Sequence, residues 1–195
     1  MAHTLDFYWD FSSPFAYLGS TQAAALAART GATLRWRPML LGGVFRAVGQ
    51  VDAPLATFAA AKQRYISLDM QRWADHWGVP FRFPTRFPMS TVKALRAYLA
   101  LPPGAQDGFR ERTFHAYWAD DRDINDDAVL RELIGEGADA ILARTATPAI
   151  KDALRTATEE AVALGVFGAP TWVIDGHDLY WGQDRIPLVE RALSR

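Results

Sequence analysis

The chain has 195 residues, half of them hydrophobic, with 21 Lys and Arg against 22 Asp and Glu and a formal net charge of −1. A chain of this length can bury a full core, and so balanced a charge excludes recruitment of nucleic acid or an anionic membrane surface by bulk field. It contains no cysteine, which excludes disulfides, thiolate metal sites and any thiol chemistry of its own.

Met1 to Asp6 carries neither a basic stretch nor a long apolar one, and no apolar run reaches membrane-spanning length, so a cytoplasmic protein is expected. Leu5 to Phe11 is aromatic and β-prone. Ser12-Ser13-Pro14 then opens an Ala- and Leu-rich helix to Arg29, with Pro14 suited to the first helical position and Gly31 to the stop. Thr33 to Pro38 reads as a second strand. From Gly42 to about Leu164 helical periodicity dominates, with helices expected over Phe58 to Trp77, Ser90 to Leu101, Ala105 to Trp118, Asp126 to Gly135 and Pro148 to Leu164. Pro170 to Ile174, Asp175-Gly176 and Leu179 to Trp181 read as a hairpin, and Ile186 to Leu193 as a closing helix.

Ser12 and Ser13 stand at a helix mouth directly after a strand. Unpaired N–H groups and the positive end of the helix dipole stabilise an anion there, a thiolate included, although Ser13 also reads as a plain N-cap. Pro170 opens an interior strand, where its missing donor needs a reason. A cis Ala169–Pro170 bond would expose the Ala169 backbone as an edge for an extended peptide ligand; a trans strand entry is the alternative. His3, His76, His115 and His177 lack metal-ligand spacing, and Asp120-Asp121-Arg122-Asp123 is interrupted by a base, so no metal site is expected. The seven tryptophans read chiefly as core, with several able to wall an aromatic substrate pocket. Arg46, Arg64 and Arg86 are alternatives for pairing with a substrate carboxylate. Taken alone, Lys62 reads as a solvated helix charge, Gln183 as a turn residue and Asp184 as an N-cap for the last helix.

The order β-α-β, helical block, Pro-Thr-β-β-α resembles the DsbA-like branch of the thioredoxin superfamily, in which a C-x-x-C motif opens the first helix. Here Ser13-Pro14-Phe15-Ala16 stands in that place, so dithiol oxidoreduction is excluded. Within the branch, Asp10 to Leu18 resembles 2-hydroxychromene-2-carboxylate isomerases and, one step further, kappa-class glutathione transferases. Lys62 to Tyr65, Asp69 to Ala74, Gly78 to Phe81 with Phe83-Pro84, Val166 to Thr171 and Trp181 to Arg185 agree with that family in order.

The resemblance implies an α/β fold with a thioredoxin-like domain of residues 1–41 and 165–195, interrupted by an all-helical insertion domain of residues 42–164, with the site between them. It implies a glutathione-dependent isomerase interconverting 2-hydroxychromene-2-carboxylate and trans-o-hydroxybenzylidenepyruvate. Its partners would be glutathione and a small aromatic substrate, with no nucleic acid or membrane, and it would be a homodimer. Ser13 would contact the glutathione sulfur, Ala169 the cysteinyl backbone, Gln183 and Asp184 the γ-glutamyl end, and Lys62 the glutathione or substrate pocket. Gln50 departs from the family's Asn and carries its amide on a longer arm. A kappa-like transferase and a non-catalytic thioredoxin-fold binding protein stay open as alternatives.

Overall fold

The aromatic first strand and the Ser-Pro helix mouth fold as their chemistry dictates. A computed structural model describes residues 2–51 and 54–194; Met1 and Arg195, the outer bounds of the expected thioredoxin-like part, lie outside the described residues. Strand β1 (Thr4–Trp9) leads through a turn into α1 (Pro14–Thr30), with Ser13 as N-cap and Pro14 opening the first turn. Gly31 ends α1 in the left-handed conformation at φ 68°. Strand β2 (Thr33–Pro38) lies parallel to β1, and β3 (Thr171–Ile174) runs antiparallel on the other side of β1, followed by β4 (Asp178–Trp181), giving the order β2-β1-β3-β4. Asp175 and Gly176 both take positive φ, the backbone that a tight hairpin needs.

Between β2 and β3 lie α2 (Leu41–Ala47), α3 (Pro54–Thr57), α4 (Ala60–Trp77), α5 (Val92–Ala100), α6 (Pro103–Trp118), α7 (Asp127–Ile134), α8 (Ala138–Arg144) and α9 (Pro148–Ala163). A short 3₁₀ turn, Gln183–Arg185, precedes α10 (Ile186–Leu193). The five helices expected in the block form, with ends shifted by a few residues. Pro103 belongs to α6 because its fixed φ and missing donor fit a first helical turn. Three helices were not expected. In α2, Gly42 and Gly43 weaken intrinsic propensity, and tertiary bonds to Leu40 N and Leu41 N hold its start. The short α8 is fastened by Arg131 to Asp139 and by Arg144 to the Ala100 carbonyl, and α3 is a single turn.

Alternation along β1 divides the core. Phe7 packs against the Trp36 and Trp172 rings, with centroids 5.3 and 4.4 Å away, and against Gly19 of α1. Tyr8 faces the other way, into the field of Glu160 on α9. Helices α1 and α10 therefore cover one face of the sheet and α9 the other. At the end of β1, Trp9 and Phe11 join Tyr98 of α5 and Phe114 of α6 in an edge-to-face cluster. The Trp118 indole N–H donates to the Phe11 carbonyl at 2.7 Å. This cluster sews the helical block to the strand end where the helix mouth lies.

Phe7 is fully buried, so truncation leaves a void between the sheet and α1. Phe7→Ala is expected to lower unfolding stability by about 3–5 kcal/mol. Urea unfolding followed by tryptophan fluorescence checks this.

Candidate functional site

The Ser13 side chain is the pivot of the helix mouth. Its Oγ accepts from Ala16 N at 3.1 Å, capping α1, and donates its one proton to the Ala169 carbonyl at 2.9 Å, 156 residues away in sequence. Ser13 N donates to the Asp10 carbonyl and Ser13 O accepts from Tyr17 N, so the residue is fixed at every polar atom. The Ala169–Pro170 peptide bond is cis, as expected, and so is Phe87–Pro88. Among the described residues Ala169 N–H has no backbone acceptor, and Thr171 Oγ1 ties the segment down by donating to the Gly168 carbonyl at 2.7 Å.

Behind Ser13 lies a carboxylate that the motif contains but to which no role was assigned. Asp10 is buried, and its Oδ1 accepts from Ser12 N at 3.0 Å and from Thr91 Oγ1 at 2.6 Å, while Oδ2 accepts from Leu41 N at 2.7 Å. Burial raises its pKa above the ordinary aspartate value, opposed by these hydrogen bonds. Leu41 and Thr91 are 31 and 81 residues distant from it, which no local sequence signal reveals. Tyr17 of the same motif is pushed up to about 12 by burial and the nearby Asp120 charge. It stays a neutral donor to the Pro80 carbonyl at 2.7 Å.

These groups border a cleft of about 610 Å³. Asp10, Ser12 and Ser13 lie at the helix mouth, and Gly168 and Ala169 on the opposite bank. Phe15, Phe45, Phe58, Phe87, Phe167 and Trp181 give it aromatic walls, the size and character of a small-molecule site. Lys62 is its cation among the described lining residues, with its Nζ 3.8 Å from the Phe58 ring centroid. Gln50 also lines it. Trp181 lies over the backbone of Gly168: a Cβ added there would sit 2.6 Å from the indole nitrogen. With Phe167, 5.2 Å away, it forms a half-exposed aromatic pair on the rim, so Trp181 is a tryptophan that walls a pocket and is not core.

The expected residues divide accordingly. Ser13, Ala169 and Lys62 come together, whereas Gln183 and Asp184 do not line the cleft. Gln183 is buried with its Cβ facing Gly19 of α1, because the 3₁₀ turn packs onto that helix. Asp184 is partly exposed and accepts from Arg185 at 2.8 Å; it does not cap α10. Arg46, Arg64 and Arg86 also lie outside the lining, and Arg86 donates to the Asp121 carbonyl. Among the described residues no three His, Asp or Glu side chains gather as metal ligands, and no helix is long and apolar enough to cross a membrane.

The DSBA-like thioredoxin domain family matches residues 4–194 of the chain. A 2-hydroxychromene-2-carboxylate isomerase of Sphingobium xenophagum is 33% identical, over 99% of this chain and 99% of its own. A solved structure of 2-hydroxychromene-2-carboxylate isomerase superposes with a TM-score of 0.83 at 27% identity, covering 98% of this chain and 95% of that one. Glutathione s-transferase kappa 2 of Caenorhabditis elegans is 26% identical over 96% of this chain and 90% of its own.

The Asp10 environment generates a pH prediction. Since the folded carboxyl keeps its proton to higher pH than the unfolded one, its contribution to stability is fully present below about 3.9 and declines as pH rises through the folded value. Asp10→Asn abolishes that titration and leaves one of the three donors facing an amide N–H, at about 1–3 kcal/mol. The variant is expected to be less stable than wild type by most at low pH and by less above the folded titration. Guanidinium unfolding at a series of pH values measures the gap, and a gap that widens with pH would contradict the assignment.

Proposed function

We propose that this chain, which belongs to the DSBA-like thioredoxin domain family and within it to the 2-hydroxychromene-2-carboxylate isomerases, interconverts 2-hydroxychromene-2-carboxylate and trans-o-hydroxybenzylidenepyruvate with glutathione as a returned catalyst. The observation that carries the reading is the Ser13 hydroxyl, set at the N-terminus of α1 and bonded across the cleft to Ala169. The site fits glutathione on three counts. Ala169 offers a carbonyl and an N–H to a peptide ligand, Lys62 offers a cation to a carboxylate, and the start of α1 offers partial positive charge to a sulfur anion. When bound, glutathione would supply the thiolate nucleophile that this cysteine-free chain lacks, for reversible addition to the substrate double bond.

The residues of the chain have separable tasks. Ser13 has one hydroxyl proton, held here by Ala169 O. A ligand N–H that takes over this carbonyl frees the proton for a sulfur anion, while Oγ keeps its bond from Ala16 N and α1 stays capped. That donated bond and the helix dipole both favour the ionised sulfur and lower its pKa. Lys62 pairs with a carboxylate of the ligand or substrate. The aromatic walls flank a planar substrate and keep water from the reacting atoms. Asp184, which is partly exposed, and Gln183 of the same 3₁₀ turn are assigned to the γ-glutamyl end on family resemblance, outside the cleft lining. The same reading divides the chain into a thioredoxin-like part, residues 1–41 and 165–195, and a helical insertion, residues 42–164, and carries a cytoplasmic homodimer.

Ser13→Ala is expected to keep its fold, since Pro14 still fixes the first helical φ. It should lose about 10- to 100-fold in rate at neutral pH, the equivalent of roughly 1.5–3 kcal/mol for one hydrogen bond to a charged atom. Part of the rate should return as pH approaches the free-thiol value of about 8.5. Lys62→Gln should raise the KM for the carboxylate ligand it serves while leaving the pH profile in place. Steady-state rates with and without glutathione check both. Turnover that ignores glutathione would overturn the reading, and stoichiometric consumption of glutathione would turn it into a transferase.

A further inference from the structure

We infer that a second cavity, walled by α2, α5 and α9, is a binding site for a small carboxylate with an apolar body. The cavity encloses about 500 Å³ and lies on the other side of Leu40 and Val92, which line both it and the first cleft. Leu154 and Val162 of α9 extend its apolar floor. Three cations and one carboxylate also line it: Arg155 pairs with Glu159, which leaves Arg96 and Lys151. Among the described residues the half-buried Arg96 side chain makes no hydrogen bond or ion pair, its Nε sealed in protein and its terminal nitrogens accessible, and Lys151 is exposed and makes no ion pair.

A guanidinium cannot shed its proton, so the half-buried charge of Arg96 stays uncompensated until an anion meets its accessible terminal N–H groups. Neighbouring groups do not meet the need: Arg155 takes up Asp152 and Glu159, and Thr158 Oγ1 accepts from Leu40 N and donates to the Leu154 carbonyl. A planar carboxylate matches the guanidinium fork, Lys151 adds a second positive charge, and the apolar floor selects a hydrocarbon body over a bare inorganic anion. The inference holds whether or not glutathione occupies the first cleft.

Calorimetric titration of the full chain with 2-naphthoate tests it. Lys62→Gln, which weakens carboxylate binding in the first cleft, should leave one naphthoate site intact. In that background Arg96→Gln should weaken the remaining site about ten- to hundredfold. Lys151→Gln, at an exposed position with no protein partner to lose, should weaken it by a smaller factor without affecting the fold. 2-Naphthol, with the same rings and no carboxylate, should not compete. Unchanged naphthoate binding in both variants, equal binding of naphthol, or a crystal structure in which a second copy of the chain fills the cavity would overturn the inference.

Discussion

The carboxylate of Asp10 takes hydrogen bonds from Ser12 N, Leu41 N and Thr91 Oγ1, and so binds the turn before α1, the start of α2 and the start of α5 to one buried point. Those three segments form one bank of the cleft. The opposite bank is joined to them by the Ser13 hydroxyl, which spans to Ala169. Without the carboxylate, three donors would face a low-dielectric interior unpaired, a larger penalty than the net gain of the bonds themselves. The helix mouth is thus held rigid by a buried acceptor and kept chemically responsive by a single shared proton.

That division of labour suits a fold whose usual redox residues are absent. With Ser13-Pro14-Phe15-Ala16 at the start of α1, the helix keeps its cap, its first-turn proline and its electrostatic field, but the chain holds no sulfur nucleophile. Under the proposed reading, the site binds a thiol instead of containing one, and Ser13 passes its proton from a backbone carbonyl to the bound sulfur. The aromatic walls and Lys62 then sort substrates by planarity and charge.

Much of this was legible in the sequence because the signals were local. Ser13-Pro14 marked a capped helix start, Gly31 its end, Asp175-Gly176 a hairpin and Pro170 an unusual strand entry; each depends on backbone geometry within a few residues. What escaped was non-local. The role of Asp10 depends on Thr91 and Leu41, and α2 forms against its own glycines because Asp10 and Thr158 hold its first amides. Which tryptophan walls the cleft is settled only by the fold, which sets Trp181 over Gly168, and the burial of Gln183 follows from the packing of its turn on the distant Gly19. Of the residues that the family pattern names, Ser13, Ala169 and Lys62 line one cleft, and Gln183 and Asp184 lie outside its lining.

The central claim is that Ser13 and the start of α1 hold a borrowed thiol in its ionised form. Thiolate absorbance of glutathione bound to the protein, titrated against pH, tests this without reference to turnover. The account predicts a bound-thiol pKa well below the free value of about 8.5 in wild type and a return toward that value in Ser13→Ala. A bound thiol that titrates as it does in free solution, or one whose pKa is unmoved by Ser13→Ala, would contradict it.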